Sequence, residues 1–97
     1  MSALLNWEKK GDILYFQGVL DRETLLPVWQ QRKTLLADLN SIDVSALNHI
    51  DSTGLALFVH LKVEVETQNR HLNIQGATER FRTLITLYDL DEIMNIA

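Results

Sequence analysis

The sequence predicts an α/β fold, a mixed β-sheet with α-helices mostly on one face, and three observations carry that prediction. Two short runs with strand-like patterning flank Gly11-Asp12, the signature of a hairpin. Two later strand-like runs, near 41–46 and 71–76, are each preceded by a segment with helical apolar spacing. Between them, Leu47-Asn48-His49-Ile50-Asp51-Ser52-Thr53-Gly54-Leu55 passes from strand to helix with no turn signal. Alternation of this kind builds layered α/β structures. The 97 residues are read as one domain, 1–97, too short for a second core.

Residues 3 to 8 are expected as the first strand and Ile13-Leu14-Tyr15-Phe16-Gln17 as the second, with Gly18 breaking it. Asp21 or Thr24 is expected to cap the next helix, whose first turn tolerates Pro27. From about 22 to 38, Leu25, Val28, Leu35, Leu36 and Leu39 share one helical arc, the core face. Leu26 lies outside that arc and Trp29 on its flank. Trp29 either packs under the sheet edge or serves as a partner anchor. Arg32 falls inside the arc, its stem packed and its head reaching outward.

The helix opening at Ser52 is expected to run to about Gln68 and carries two apolar arcs. One is Leu57, Phe58, Leu61 and Val65; the other is Ala56, Val59 and Val63, in line with Ser52. A helix on a sheet needs only one apolar face. The second stripe is therefore either covered by a neighbouring helix, the commoner case, or exposed as a protein interface. After Asn69-Arg70, residues 71–76 alternate as a strand with Leu72 and Ile74 on one side. A last helix starts at Ala77 or Thr78, with Phe81, Leu84, Ile85 and Tyr88 at helical spacing, and Asp89-Leu90-Asp91 ends it. The tail, 92–97, fits a short strand or another helical turn.

Asp51-Ser52-Thr53 stands where a helix leaves backbone N–H groups without carbonyl partners. Capping alone accounts for an arbitrary Asp-Ser-Thr at this place. The functional alternative is an anion or phosphoester site at the positive end of the helix, with Ser52 as the modified hydroxyl. Gly54 lowers helix propensity and permits close approach of another segment.

Composition excludes several classes. With 46% hydrophobic and 23% charged residues the chain is an ordinary globular protein, and its net charge of -4 offers no basic footprint for nucleic acid or an anionic membrane. There is no cysteine, hence no disulfide and no thiol catalysis. No apolar run approaches the roughly 20 residues that cross a bilayer, and the N-terminal charges follow a very short apolar stretch, unlike a secretory signal. A cytoplasmic location is expected. His49, His60 and His71 lack metal-ligand spacing, and no nucleotide-binding glycine loop is present, so no metal and no cofactor are expected. No nucleophile-elbow pattern surrounds Ser52, which argues against an enzyme. What remains is a binding or switch module.

Asp51-Ser52-Thr53-Gly54-Leu55 resembles the D-S-[ST]-G-L signature of STAS domains, which include anti-sigma-factor antagonists and transporter regulatory domains. Gly18-Val19-Leu20-Asp21 is similar to the family's G-E-L-D, with Val19 in place of the usual Glu. Motif spacing and element order extend the resemblance over nearly the whole chain and imply the STAS, or SpoIIAA-like, fold. Within the family, three segments resemble the MlaB-like branch. Asp21-Arg22-Glu23-Thr24-Leu25-Leu26-Pro27-Val28-Trp29 is similar to D-x-x-x-L-L-P-[LV]-W, Gly54-Leu55-Ala56-Leu57-Phe58-Val59-His60-Leu61 to G-L-A-L-L-L-H-L, and Leu84-Ile85-Thr86-Leu87-Tyr88-Asp89-Leu90 to L-x-x-L-Y-x-L. Asp51-Ser52-Thr53-Gly54 departs toward the phosphorylatable motif of the antagonists and away from the branch's T-G-G.

The resemblance implies a non-catalytic cytoplasmic subunit that binds the ATPase of a phospholipid-transport ABC system, beside a membrane permease, and supports outer-membrane lipid asymmetry. The contact is expected on Ser52, Thr53, Asp51 and Gly54 together with Trp29, Leu26 and Asp21, the last lying near Ser52. The alternative is an anti-sigma-factor antagonist phosphorylated at Ser52.

Overall fold

The computed structural model describes residues 4–94 and 96. In chain order the elements are β1 (Leu5–Lys10), β2 (Ile13–Leu20), α1 (Leu25–Gln30), α2 (Arg32–Leu36), β3 (Ser41–Ile50), α3 (Ser52–Glu66), β4 (Asn73–Gln75), α4 (Glu79–Leu87) and α5 (Asp91–Met94). The sheet runs β1-β2-β3-β4, with β1 antiparallel to β2 and the other two pairs parallel. It is the expected mixed sheet.

Alternation sets the two faces of that sheet. Leu14 and Phe16 of β2 and Ile42 and Val44 of β3 are buried on one side, while Glu8, Tyr15 and Asp43 pair in register on the other. On the buried side lies α3, touched by α1 and α2 and by α4 and α5. Its Leu57, Phe58, Leu61 and Val65 are all buried, as the first arc requires. Phe58 meets Phe16 edge-on at 5.4 Å between ring centroids and Phe81 of α4 at 5.7 Å, so one aromatic chain ties the sheet, the central helix and α4 together.

Several boundaries differ from the sequence reading. Strand β2 does not stop at Gly18 but continues to Leu20, and the pairing with β3 shifts between Gly18 and Val19. Gly18 has φ +102, and a Cβ there would strike the Leu4 carbonyl, whose oxygen accepts from Val19 N at 2.8 Å. Glycine makes a bulge here rather than a break. Strand β3 runs on to Ile50, whereas β4 keeps only Asn73–Gln75. The tail forms the helical turn α5, with residues 95 and 97 outside the described set.

The helix expected over 22–38 is two short helices that meet at Gln31. At the junction the Trp29 carbonyl accepts a backbone N–H of the helix end and also the Arg32 guanidinium, the latter at 2.9 Å. The core face was nonetheless rightly placed, since Val28, Leu36 and Leu39 are buried and Leu25 and Leu35 pack against them. Downstream, Arg70 donates to the Leu36 and Leu39 carbonyls at 2.9 and 2.8 Å and closes the end of α2.

Candidate functional site

The start of α3 divides its three polar residues between two jobs. Asp51 is the N-cap: its Oδ1 accepts from Gly54 N at 2.9 Å and from the Thr53 hydroxyl at 2.6 Å. Both Asp51 and Thr53 are thereby committed to the helix. Ser52 between them is exposed, and its hydroxyl makes no hydrogen bond among the described residues. Capping and an available hydroxyl thus coexist.

Partial burial works to raise the Asp51 pKa, but the Thr53 hydroxyl, the Gly54 and Thr53 N–H groups and the charge of His49 together hold it below the ordinary value of 3.8. The carboxylate stays ionised near neutral pH, where it complements the helix dipole. No histidine hydrogen bonds the Ser52 hydroxyl among the described residues.

Gly54 is buried, and a Cβ on it would lie 2.7 Å from the Leu20 carbonyl oxygen and 3.0 Å from the Ile50 side chain. The same carbonyl accepts from Asp51 N at 3.3 Å. These two contacts seat the end of β2, and so the turn after it, against the start of α3. Within that turn Asp21 Oδ1 accepts from Glu23 N at 2.9 Å and Thr24 N at 3.2 Å. Asp21 therefore closes its own turn, with no bond to Ser52 among the described residues. Thr24 occupies the N-cap position of α1 without capping it, because its hydroxyl accepts from Asp21 N at 3.0 Å and donates to the Val19 carbonyl at 2.9 Å.

The second stripe of α3 is open. Ala56 and Val63 are exposed and Val59 is half-buried, so among the described residues no neighbouring helix fully covers the stripe; the commoner arrangement for such a stripe is not the one adopted. Ser52, Leu55, Ala56, Val59 and His60 line a groove of about 280 Å³ closed on its far side by Tyr88 and Leu90. Across His60 the surface continues to Trp29, whose ring meets the imidazole edge-on at 5.8 Å. Leu26 stands 53% exposed on α1 and Tyr88 53% exposed at the end of α4, which makes an apolar surface contributed by three elements. By contrast, a depression of about 450 Å³ on the open face of the sheet is lined mostly by polar groups, among them Glu8, Lys10, Gln17 and Asp43.

Sequence reasoning missed His60, Tyr88 and Leu90 as parts of this surface. Tyr88 shares the helical spacing of Phe81, Leu84 and Ile85, but as the C-cap it sits where the helix ends and is exposed. The Asp89-Leu90 break directly after it was the available signal. Chemically, the surface combines an apolar centre, one free hydroxyl and an ionised carboxylate, which suits docking of a protein partner.

A family model described as "Mlab, STAS domain" matches residues 3–95. The chain is 37% identical over 90 residues to the intermembrane phospholipid transport system binding protein MlaB of Escherichia coli, covering 93% of each. It is 33% identical to the protein of the same name from Haemophilus influenzae, over 92% of this chain and 94% of that one. An anti-sigma-B factor antagonist of Bacillus subtilis is 31% identical over 90% of this chain and 75% of its own length. Among solved structures, an anti-sigma factor antagonist from Mycobacterium paratuberculosis superposes with a TM-score of 0.72 at 21% identity, covering 95% of this chain and 82% of that one, a likeness of fold. A family match across almost the entire sequence, and relatives above 30% identity over nine-tenths of it, establish that the chain belongs to the STAS-domain family, in its MlaB branch.

Proposed function

We propose that this chain is a single-domain, non-catalytic subunit of an ABC system for intermembrane phospholipid transport, in which it docks on the cytoplasmic ATPase and supports its assembly and activity. The observation that carries this reading is the uncovered stripe Ala56-Val59-Val63 of α3, continuous with Trp29 and Tyr88 and ending at the free Ser52 hydroxyl. An apolar surface of this kind on a small domain marks a protein contact. Support comes also from the relatives named as binding proteins of such a transport system. No helix of the described residues is long and apolar enough to cross a membrane; in this reading membrane association comes through the transporter, whose work supports outer-membrane lipid asymmetry. The location that follows is cytoplasmic, peripheral to the inner membrane through the ATPase and its permease.

A mild-detergent pull-down of the tagged protein from its own cells tests this, with the recovered partners identified by mass. An ABC ATPase together with a membrane permease is the expected result. Against that ATPase, Ser52→Glu and Trp29→Ala should each weaken binding by about tenfold or more while circular dichroism stays as in the wild type. Wild-type affinity in both variants would remove the surface from consideration.

A second reading rests on the free, exposed Ser52 hydroxyl and the likeness to the Bacillus antagonist. In it a serine kinase phosphorylates Ser52, adding about -1.5 to -2 charges at the edge of the apolar groove and switching a contact with an anti-sigma factor. Intact mass after incubation with cell extract and ATP reveals that modification, and a pull-down that recovers a kinase or an anti-sigma factor would replace the transporter reading.

A further inference from the structure

Trp29, the aromatic anchor of the docking surface, stands on weak local support. Its helix α1 has six residues and no side-chain cap at the N-terminus, and a helix that short does not hold itself together. The indole is half-buried, with the His60 ring against its edge. What fixes it comes from the next helix and from α3. The Arg32 guanidinium lies 3.9 Å from the Trp29 ring centroid and donates to the Trp29 carbonyl at 2.9 Å. The same group donates from Nε to Glu64 Oε1 of α3 at 3.1 Å. These two side chains are only 25% and 29% exposed, so water screens them less than a surface pair. The result is a stack, Glu64 to Arg32 to Trp29 to His60, that begins and ends on α3.

We infer that Arg32, held by Glu64, is the positioning residue for partner recognition: it presets the Trp29 indole in its docking orientation before the partner arrives. This rests on the docking surface proposed above. Neither Arg32 nor Glu64 lines the groove beside Ser52, so their influence on the partner passes through the indole. Only arginine serves all three contacts, since a planar fork stacks on a ring while donating in two further directions, and a lysine ammonium does not. Ordering the indole in the free protein removes that entropic cost from the binding step.

The test uses the purified ABC ATPase recovered in the pull-down and measures its dissociation constant by calorimetry for Arg32→Lys, Trp29→Ala and the double variant. Arg32→Lys should weaken binding about three- to tenfold by loss of the stacking contact. Added to Trp29→Ala it should have no further effect, because its action passes through the ring. In the free protein the Trp29 indole N–H resonance, assigned by its absence from Trp29→Ala, should shift and broaden in Arg32→Lys while that of Trp7 stays. Glu64→Gln should reproduce these changes more weakly and serves as the second variant if Arg32→Lys does not fold. Wild-type affinity of Arg32→Lys beside a weakened Trp29→Ala overturns the inference and spares the docking surface. Additive losses in the double variant overturn it as well, by giving Arg32 its own contact. Wild-type affinity of Trp29→Ala removes both the surface and the inference.

Discussion

Two stripes of the same helix, made of the same kind of residue, have opposite fates. On α3, Leu57, Phe58, Leu61 and Val65 are buried between the sheet and the neighbouring helices, while along the line of Ser52 Ala56 and Val63 are exposed and Val59 is half-buried. The helical wheel shows both stripes as apolar. Their difference lies in what the rest of the chain places beside them: α1 and α2 pack on one flank and α4 and α5 on the other, leaving a groove between α3 and Tyr88 open. Apolar character along a helix therefore states how much surface is available for burial, and the neighbours state whether this chain or a partner buries it.

The largest effect is expected where the buried stripe is broken. Phe58→Ala removes the ring that meets both Phe16 and Phe81, and a core truncation of this size costs about 3–5 kcal/mol. Urea denaturation should show a much lower midpoint, and a shift corresponding to less than about 1 kcal/mol would mean that the aromatic chain does not hold the layers together.

A smaller loss is expected where the two stripes begin. Asp51→Ala deletes the cap on Gly54 N and should cost about 1 kcal/mol near neutral pH. The sign of its pH dependence follows from the lowered carboxyl pKa. The folded state holds Asp51 below 3.8, so the stabilising contribution is complete above that value and fades as pH falls through the lower folded pKa. The gap between wild type and Asp51→Ala, measured by urea midpoints at a series of pH values, should therefore narrow on acidification. Asp43 acts with the same sign: burial opposes ionisation, but bonds from the Ser45 hydroxyl, Gln75 and the Ser45 N–H lower its pKa, so wild type and variant both lose stability in acid. A gap that widens in acid would contradict this account.

The least effect on stability belongs to the open stripe. Val63 is 48% exposed, and Val63→Thr should change the unfolding free energy by no more than about 0.5 kcal/mol. A loss comparable to that of Phe58→Ala would show that the chain itself covers this stripe, and the contrast between the two faces would collapse.

Much of the site was legible before any coordinates. Asp51 as a cap follows from a carboxylate ahead of an apolar run, because unpaired N–H groups at a helix start are a local fact. The exposed position of Leu26 and the flanking position of Trp29 follow from angles on a wheel. The expected approach of Asp21 to Ser52 has no hydrogen bond behind it among the described residues, since its carboxylate finds donors within its own turn. The break at Gln31 was also hidden, because the helical apolar spacing runs through it with no turn signal.

The amino-acid sequence by itself determined the alternation of strands and helical regions up to the tail, the core face of the 22–38 region and the motif at the start of α3, because periodicity, capping and turn chemistry act over a few residues. Only the tertiary structure decided that Gly18 bends a strand it was expected to end, that Arg32 and Glu64 brace Trp29, and that the second stripe of α3 stays open beside Tyr88. Those outcomes depend on groups brought together from distant parts of the chain, the Leu4 carbonyl at Gly18, Glu64 at Arg32 and Tyr88 at Ala56. No local pattern fixes which neighbour arrives.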